Sequence, residues 1–352
     1  MVVGTYYVEE VHSVDKYESK AFDLYFSGCT LCVLDIETTG LAPETSHFVL
    51  GSLIEIKAGG EAHLKQYFAE GIAEERQLLA EYMGEASGYD VLLTYNGRRF
   101  DVPFLASRAC GLDLDCPDMP YNFDLYQVLN GYTALRKLLP NLQQKTVEDF
   151  MGLWPYRKDT ITGRESAMLY QKYLYLKEIY EDPAECMALM LLHNKDDVLQ
   201  LSKLLPVLEK ADLHKAMHNL GIPIASNGAS LTAEKIRLEK NCLSVSGKQV
   251  KKPMDLVSYG QGGGDCTIRF EKKRSAFEVS FPLQKKSGLA IIDLRELPFD
   301  VCGSMEGSPG CDSGYLVASD SHGVNYRDVN SFIKAFLTNI LQNYQDSREG
   351  SV

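Results

Sequence analysis

The chain has 352 residues, 45% of them hydrophobic and 24% charged, and a formal net charge of −12. That length allows two domains with sizeable cores, and the composition is that of an ordinary globular protein without repeats, low-complexity tracts or heptads. No apolar run reaches membrane-span length, and the first residues, MVVGTYYVEEVHSVDKYE, are too acidic and polar for a secretory or transit peptide.

Nine cysteines, an odd number without metal-ligand spacing, imply reduced thiols and a cytoplasmic protein; Cys29 and Cys32 form a C-x-x-C with no second pair and no thioredoxin-like context. The charge is unevenly divided. Residues 1–204 hold 18 Lys and Arg against 31 Asp and Glu, whereas residues 205–352 hold 18 against 17. Within 235–286 there are 12 basic and 5 acidic residues, a local basic band in an acidic protein.

In chain order, residues 1–29 read as an amino-terminal extension. Strand patterns follow at 32–37, 48–57 and 64–68, the first two joined by the loop TTGLAPETSH, which predicts a three-stranded antiparallel unit. A helix is expected over 73–88, a short strand over 91–95 (VLLTY), and a second helix opening in RRFDVPFLASRAC. Residues 123–205 read as mostly helical, the last helix running over about 184–205 to Pro206. The stretch LGIPIASNGAS (220–230) reads as a linker. Beyond it, 267–281 alternates like a hairpin with a basic tip, 289–294 reads as a strand and 325–344 as an amphipathic helix.

VLDIETTG (33–40) raises the first chemical question. Residues two apart in a strand point to one side, so Asp35 and Glu37 would project together from a core strand. Burying one carboxylate without a partner is costly, and two side by side are worse; the alternative is the exposed face of an edge strand. Asp101, in TYNGRRFDVPFL, follows a strand end where active-site loops often lie, although a helix amino terminus also favours a carboxylate. In HNKDDVLQL, His193 precedes Asp197 by one helical turn. A helical wheel places Asp197 within the apolar arc of Met187, Met190, Leu201 and Leu204, and Asp196 on the polar side with Lys195, Gln200 and Lys203. Asp124, in YNFDLYQV, reads as a helix cap.

Together, DIETTGL, YNGRRFDVPFL and HNKDDV resemble the three motifs of the DEDD exonuclease superfamily. The pattern is similar to the proofreading domains of family-B DNA polymerases and to stand-alone bacterial ribonuclease H-like domain proteins, which also carry an Arg-x-Asp stretch like RKDTITGRE (157–165). The resemblance covers about 30–205. It implies an α/β fold, a ribonuclease H-like mixed five-stranded sheet with helices on both faces over 30–208; it does not extend to residues 220–352, whose own strand and helix patterns read as a smaller α+β domain of unknown role.

The resemblance further implies that Asp35, Glu37, Asp101 and Asp197 hold two divalent cations, Mg²⁺ or Mn²⁺, as hard cations suit carboxylate oxygens. The residue one turn before the last aspartate is the family's water-orienting group. Here it is His193, a histidine at the spacing usual for tyrosine and a candidate general base. Thr38, Asn96 and Phe100 match positions that contact single-stranded substrate, and Arg98 and Arg99 could hold phosphates. The expected activity is 3′–5′ exonucleolytic hydrolysis of single-stranded DNA or RNA, without a membrane partner. The rival readings are a nucleic-acid-binding module with weak or no catalysis and a structure-selective endonuclease using the same site. For the basic band two readings stay open: a solvated surface, or a clamp that delivers a strand.

Overall fold

The computed structural model describes residues 6–15, 17–56, 60–239, 241–259, 266–305 and 309–349. Lys57, at the end of one expected strand, and Lys240, in the basic band, lie outside these residues. The chain divides into two units, one built from residues 1–18 and 30–211, the other from 19–29 and 212–352. Residues 1–29, expected to be an extension, are therefore shared between the two. Strand β1 (Tyr6–Ser13) belongs to the first unit and helix α1 (Lys20–Phe26) to the second.

The first unit is built on a sheet in the order β1-β4-β3-β2-β5-β6, with β2 (Leu31–Thr38), β3 (Phe48–Ile56), β4 (Glu61–Phe68), β5 (Val91–Thr94) and β6 (Tyr121–Asp124). Strands β1 to β4 pair antiparallel, and β5 and β6 run parallel to β2. The sheet has six strands because β1 adds to the open edge of β4. Neither β1 (YYVEEVHS) nor β6 (YNFD) carries the apolar run that marks β2 and β3, and both escape a reading based on such runs.

Helices cover both faces. Helices α2 (Glu75–Ala86) and α3 (Asp101–Gly111) pack on Cys32, Leu34 and Ile36, the residues of β2 that point to one side. Helices α4 (Leu125–Tyr132), α5 (Leu135–Leu138) and α6 (Gln144–Phe150) follow β6. The opposite face is covered by α7 (Gly163–Glu178) and α8 (Ala184–Lys203), whose Tyr170, Tyr173, Cys186 and Met190 pack against Val49, Leu50 and Phe68. Within the tyrosine-rich run 170–180, Tyr170 and Tyr173 serve packing, the Tyr173 and Phe68 rings meeting edge to face at 5.2 Å, whereas Tyr175 and Tyr180 are exposed. The tight fit of α2 needs Gly51, where a Cβ would run into the Tyr82 ring.

The second unit holds α9 (Leu213–Leu220), a sheet in the order β10-β11-β12-β9-β8-β7 and a four-stranded sheet in the order β13-β14-β15-β16. The first sheet comprises β7 (Ile222–Ser226), β8 (Ala229–Leu238), β9 (Cys242–Lys251), β10 (Leu256–Tyr259), β11 (Thr267–Glu271) and β12 (Ala276–Pro282). The second comprises β13 (Gln284–Lys286), β14 (Leu289–Asp293), β15 (Tyr315–Asp320) and β16 (Gly323–Val324), with helices α10 (Pro309–Ser313) and α11 (Tyr326–Glu349). The supposed linker at 220–230 is the β7–β8 hairpin. Asn227 and Gly228 both take positive φ, 52° and 72°, as a two-residue Asn-Gly hairpin turn requires. The hairpin expected over 267–281 is present as β11–β12, its tip formed by Lys272, Lys273 and Arg274. Among the described residues, no helix is long and apolar enough to cross a membrane.

Candidate active site

Strand β2 lies inside the sheet, between β3 and β5, so Asp35 and Glu37 are not on an edge. With Leu34 and Ile36 turned toward α2 and α3, the alternation of the strand directs Asp35 and Glu37 to the face covered by α7 and α8. The β2–β3 register shifts between Glu37 and Thr38, an irregularity of the kind that re-aims side chains beside functional sites.

Asp101 arrives from the end of β5. Asn96 has φ 68°, and a Cβ at Gly97 would collide with the Thr94 side chain, so the Asn-Gly pair permits a turn packed directly on the strand. Asp124 secures this turn by accepting from the backbone N–H of Asn96 at 2.8 Å and Arg98 at 3.2 Å, and it caps α4 through Gln127. The turn leaves Asp101 in the first position of α3, 4% exposed.

Helix α8 supplies the remaining groups. Asn194 donates to Asp35 Oδ2 at 2.7 Å and accepts from Ser52, which in turn accepts from Gln66 at 3.0 Å. This buried chain holds the Asp35 carboxylate in one orientation. His193, 3% exposed, has Nδ1 2.6 Å from Asp159 Oδ2, while Nε2 lies 3.4 Å from Glu37 and 3.6 Å from Asp197. The bond to Asp159 favours the Nδ1–H tautomer, leaving the Nε2 lone pair toward the carboxylates.

A buried ionic lattice lies behind these groups. Arg157 grips Glu148 through two bonds of 2.8 and 2.7 Å, and its Nη1 lies 2.6 Å from Asp159 and 2.7 Å from Asp197. Lys145 donates to Asp159 at 3.0 Å. Asp196 is not the solvent-facing residue that the helical wheel predicts. It is 5% exposed and accepts from the backbone N–H of Lys158 at 2.5 Å and Asp159 at 2.8 Å. The wheel assumes one apolar core, whereas the 157–159 segment offers α8 a second, polar surface on its other flank. Asp196 pins that segment while Asp197 faces the cleft.

Burial and mutual repulsion raise the site's carboxyls. Asp35 stands well above the usual range, first through burial and then through Asp101, Asp197 and Glu37. Burial lifts Glu37 to about 7, with His193 opposing, and Asp101 to about 7, with backbone N–H bonds opposing. Asp197 is raised by burial against the pull of His193 and Arg157. His193 is also raised; burial works against this, and the bond to Asp159 outweighs it. Such a set is short of positive charge, which fits a divalent cation. Glu37, His193 and Asp197 each offer a ligand atom, all within 4.8 Å of one another, and oxygen donors predominate as hard cations prefer.

All four carboxylates and His193 line one cleft of about 690 Å³, together with Thr38, Asn96 and Phe100. Thr38 Oγ1 donates to the Gly40 carbonyl at 2.7 Å, and the Phe100 ring also packs on Phe104, 5.6 Å between centroids. The two arginines do not line the cleft. Arg98 turns its guanidinium to the Asn122 carbonyl at 2.9 Å and over the Tyr121 ring, because the turn at Gly97 points it back along β6. Arg99 opens into a separate cavity. Sequence reasoning missed the parts played by Glu148, Arg157, Asp159 and Asn194; the Arg-x-Asp of RKDTITGRE and the Asn of HN were the signals that pointed to three of them.

A sequence-family model for the RNase_H superfamily matches residues 32–209. No curated protein matches the chain. Among solved structures, the chain is similar to the family B DNA polymerase of the hyperthermophilic archaeon Pyrobaculum calidifontis at 18% identity and TM-score 0.41, covering 51% of this chain and 24% of that one. It is also similar to exonuclease I at 12% identity and TM-score 0.34, covering 62% and 55%. A third similar structure is Escherichia coli exonuclease I in complex with a dA16 oligonucleotide, at 13% identity and TM-score 0.28, covering 62% and 54%. The chain thus spans 24% of the polymerase and about half of the exonuclease chains.

Proposed function

Because the chain belongs to the ribonuclease H superfamily, we propose that it is a nuclease, a metal-dependent 3′–5′ exonuclease acting on single-stranded nucleic acid. One observation carries the reading: four carboxylates from three separated segments converge in one cleft beside a histidine held by its own aspartate. Asp35, Glu37, Asp101 and Asp197 would hold two divalent cations, Mg²⁺ or Mn²⁺. When bound, the cations supply charge for the phosphodiester oxygens and help to ionise a water.

The chain's own residues supply orientation and proton transfer. Asn194 fixes the Asp35 carboxylate, and the backbone N–H groups of Asp101 itself and of Ile36 in β2 hold the Asp101 carboxyl. Arg157 fixes Asp197 from behind. With Nδ1–H on Asp159, His193 presents Nε2 to the cleft, where it takes the proton of the attacking water; the imidazolium that forms is stabilised by Asp159. Phe100, on the cleft wall, offers a ring to a terminal base, and such stacking tolerates any sequence.

The test is hydrolysis of strands labelled at the 3′ end, labelled at the 5′ end, or closed into circles, as DNA and as RNA, with and without Mn²⁺. Mononucleotides released from the 3′ end, with circles left intact, are the expected result. Cut circles would make the site an endonuclease. Binding without hydrolysis under any metal would reduce the unit to a binding module.

A further inference from the structure

Beside the catalytic cleft lies a second cavity, of about 410 Å³, whose lining includes Arg99, Arg136, Tyr126, Asn130, Asn141 and Leu142. Its volume is within the range of ligand pockets, about 300–1,000 Å³. Two arginines line it from different elements: Arg99 from the turn before α3, and Arg136 from α5. No carboxylate is among the lining residues, and among the described residues neither arginine is seen in an ion pair. In a segment with 31 acidic and 18 basic residues, this is a local concentration of positive charge without a counter-ion. Two arginines without ion pairs on one polar cavity suit an oxyanion, which can accept the paired N–H groups of each guanidinium.

The two cavities share a wall. Tyr95 lines the catalytic cleft, and its hydroxyl donates to the carbonyl of Leu142 at 2.7 Å; its ring meets Tyr126 edge to face at 6.0 Å. Leu142 and Tyr126 line the second cavity, while Gln143, next in the chain, lines the cleft. In the same way Phe100 faces the cleft and Arg99 the cavity. A polyanion entering one space is therefore within a residue's reach of the other.

We infer that the Arg99–Arg136 cavity is a phosphate subsite that holds the backbone of the nucleic-acid strand whose end lies in the carboxylate cleft. The choice of ligand rests on the proposed nuclease reading; the test does not. Unlike the clustered carboxylates, which repel a strand until cations are bound, this subsite attracts one at all times.

The experiment measures the affinity of the full-length protein for a short fluorescein-labelled oligothymidylate across a salt series, with Ca²⁺ present to hold the strand uncleaved. Arg99→Gln with Arg136→Gln is compared with the double lysine replacement and with the unaltered chain. Both side chains are exposed, so the fold is not at risk. Loss of two phosphate contacts is expected to weaken binding about tenfold at low salt and to flatten the log–log salt dependence by about 1.4 units, at about 0.7 per contact on a single strand. The lysine pair, which keeps the charge, should recover most of that slope. Unchanged affinity and slope in the glutamine variant would overturn the inference. A second arm follows thermal protection by inorganic pyrophosphate. If the glutamine variant lost only that protection and kept its strand affinity, the cavity would serve a free anion and the strand assignment would fall. If the unaltered protein hydrolysed no strand, the proposed function would fail, yet the binding comparison would still decide the subsite.

Discussion

Asp159 Oδ2 lies 2.6 Å from His193 Nδ1, and this bond aims the other ring nitrogen at Glu37 and Asp197. Asp159 is in turn held by Arg157 and Lys145, so the histidine is oriented from a loop 34 residues earlier in the chain. His193→Ala should slow hydrolysis on the order of 10²–10⁴-fold if the imidazole takes the proton. Asp159→Asn keeps the shape but favours the opposite tautomer, and it should give a smaller loss in the same step. The decisive measurement is the double variant under single-turnover conditions. It should be no slower than His193→Ala alone, because the two residues act as a unit; additive losses would separate them.

Asp35 carries the cost of the metal-free site, since burial and three neighbouring carboxylates all disfavour its charge. The acids Asp35, Glu37 and Asp101 have folded pKa values raised above their unfolded values. The folded state therefore holds more protons, and stability falls as pH rises from about 4 through about 7. Asp35→Asn, which still accepts the Asn194 bond, should abolish hydrolysis and raise the melting temperature of the metal-free protein at pH 8 while changing little at pH 4. Mn²⁺ should stabilise the unaltered chain more than the variant. A variant less stable than the parent at pH 8 would contradict the account.

Asp196 should prove as necessary as the residue beside it. Removing its carboxylate leaves the Lys158 and Asp159 N–H groups without their acceptor and frees the segment that positions Asp159. Hydrogen bonds to a charged acceptor contribute about 1.5–3 kcal/mol each. Asp196→Ala is thus expected to lower stability by about 3–6 kcal/mol for the two bonds, with loss of activity following through His193. Denaturant unfolding beside steady-state rates would check this; a variant with parental stability and rate would return Asp196 to the solvent-facing role that its sequence position suggests.

The site was legible where chemistry leaves a local mark. Two acids flanking one residue of an apolar strand, and an Asn-Gly turn ahead of a third acid, are visible without a structure. So is the antiparallel β2–β3–β4 unit, because its strands are apolar and its turns polar. What escaped depends on contacts distant in sequence. Strand β1 pairs as an edge without an apolar signature, and the Arg157–Glu148 pair, buried on both sides, looks in the sequence like ordinary surface charge. Helical phase separated Asp196 from Asp197 correctly in direction and wrongly in consequence, since α8 is covered on its polar flank as well. At 220–230 the Asn-Gly pair was a hairpin signal in plain view, outweighed by the neighbouring glycine and proline.

The basic band of the second unit can now be weighed as a strand clamp. Lys248 lies 3.6 Å from Glu234, Arg274 lies 3.3 Å from Glu271, and Lys252 donates to the Asn227 carbonyl at 2.9 Å. Arg269 also pairs with Glu271, at 2.6 Å. Three of the band's cations, Lys248, Arg269 and Arg274, are therefore paired within their own sheet by two carboxylates, and the lysines at the β11–β12 tip discourage edge pairing in the usual way. Truncation after residue 210 is a poor test, because α1 belongs to the second unit and would lose the elements it packs on. The better test keeps the full chain and changes Lys272, Lys273 and Arg274 together to alanine. Single-strand affinity and its salt dependence should match the parent, well short of the about 0.7 unit of slope that each lost phosphate contact removes on a single strand. A slope flattened by two or three such units would instead make the hairpin tip part of the nucleic-acid surface.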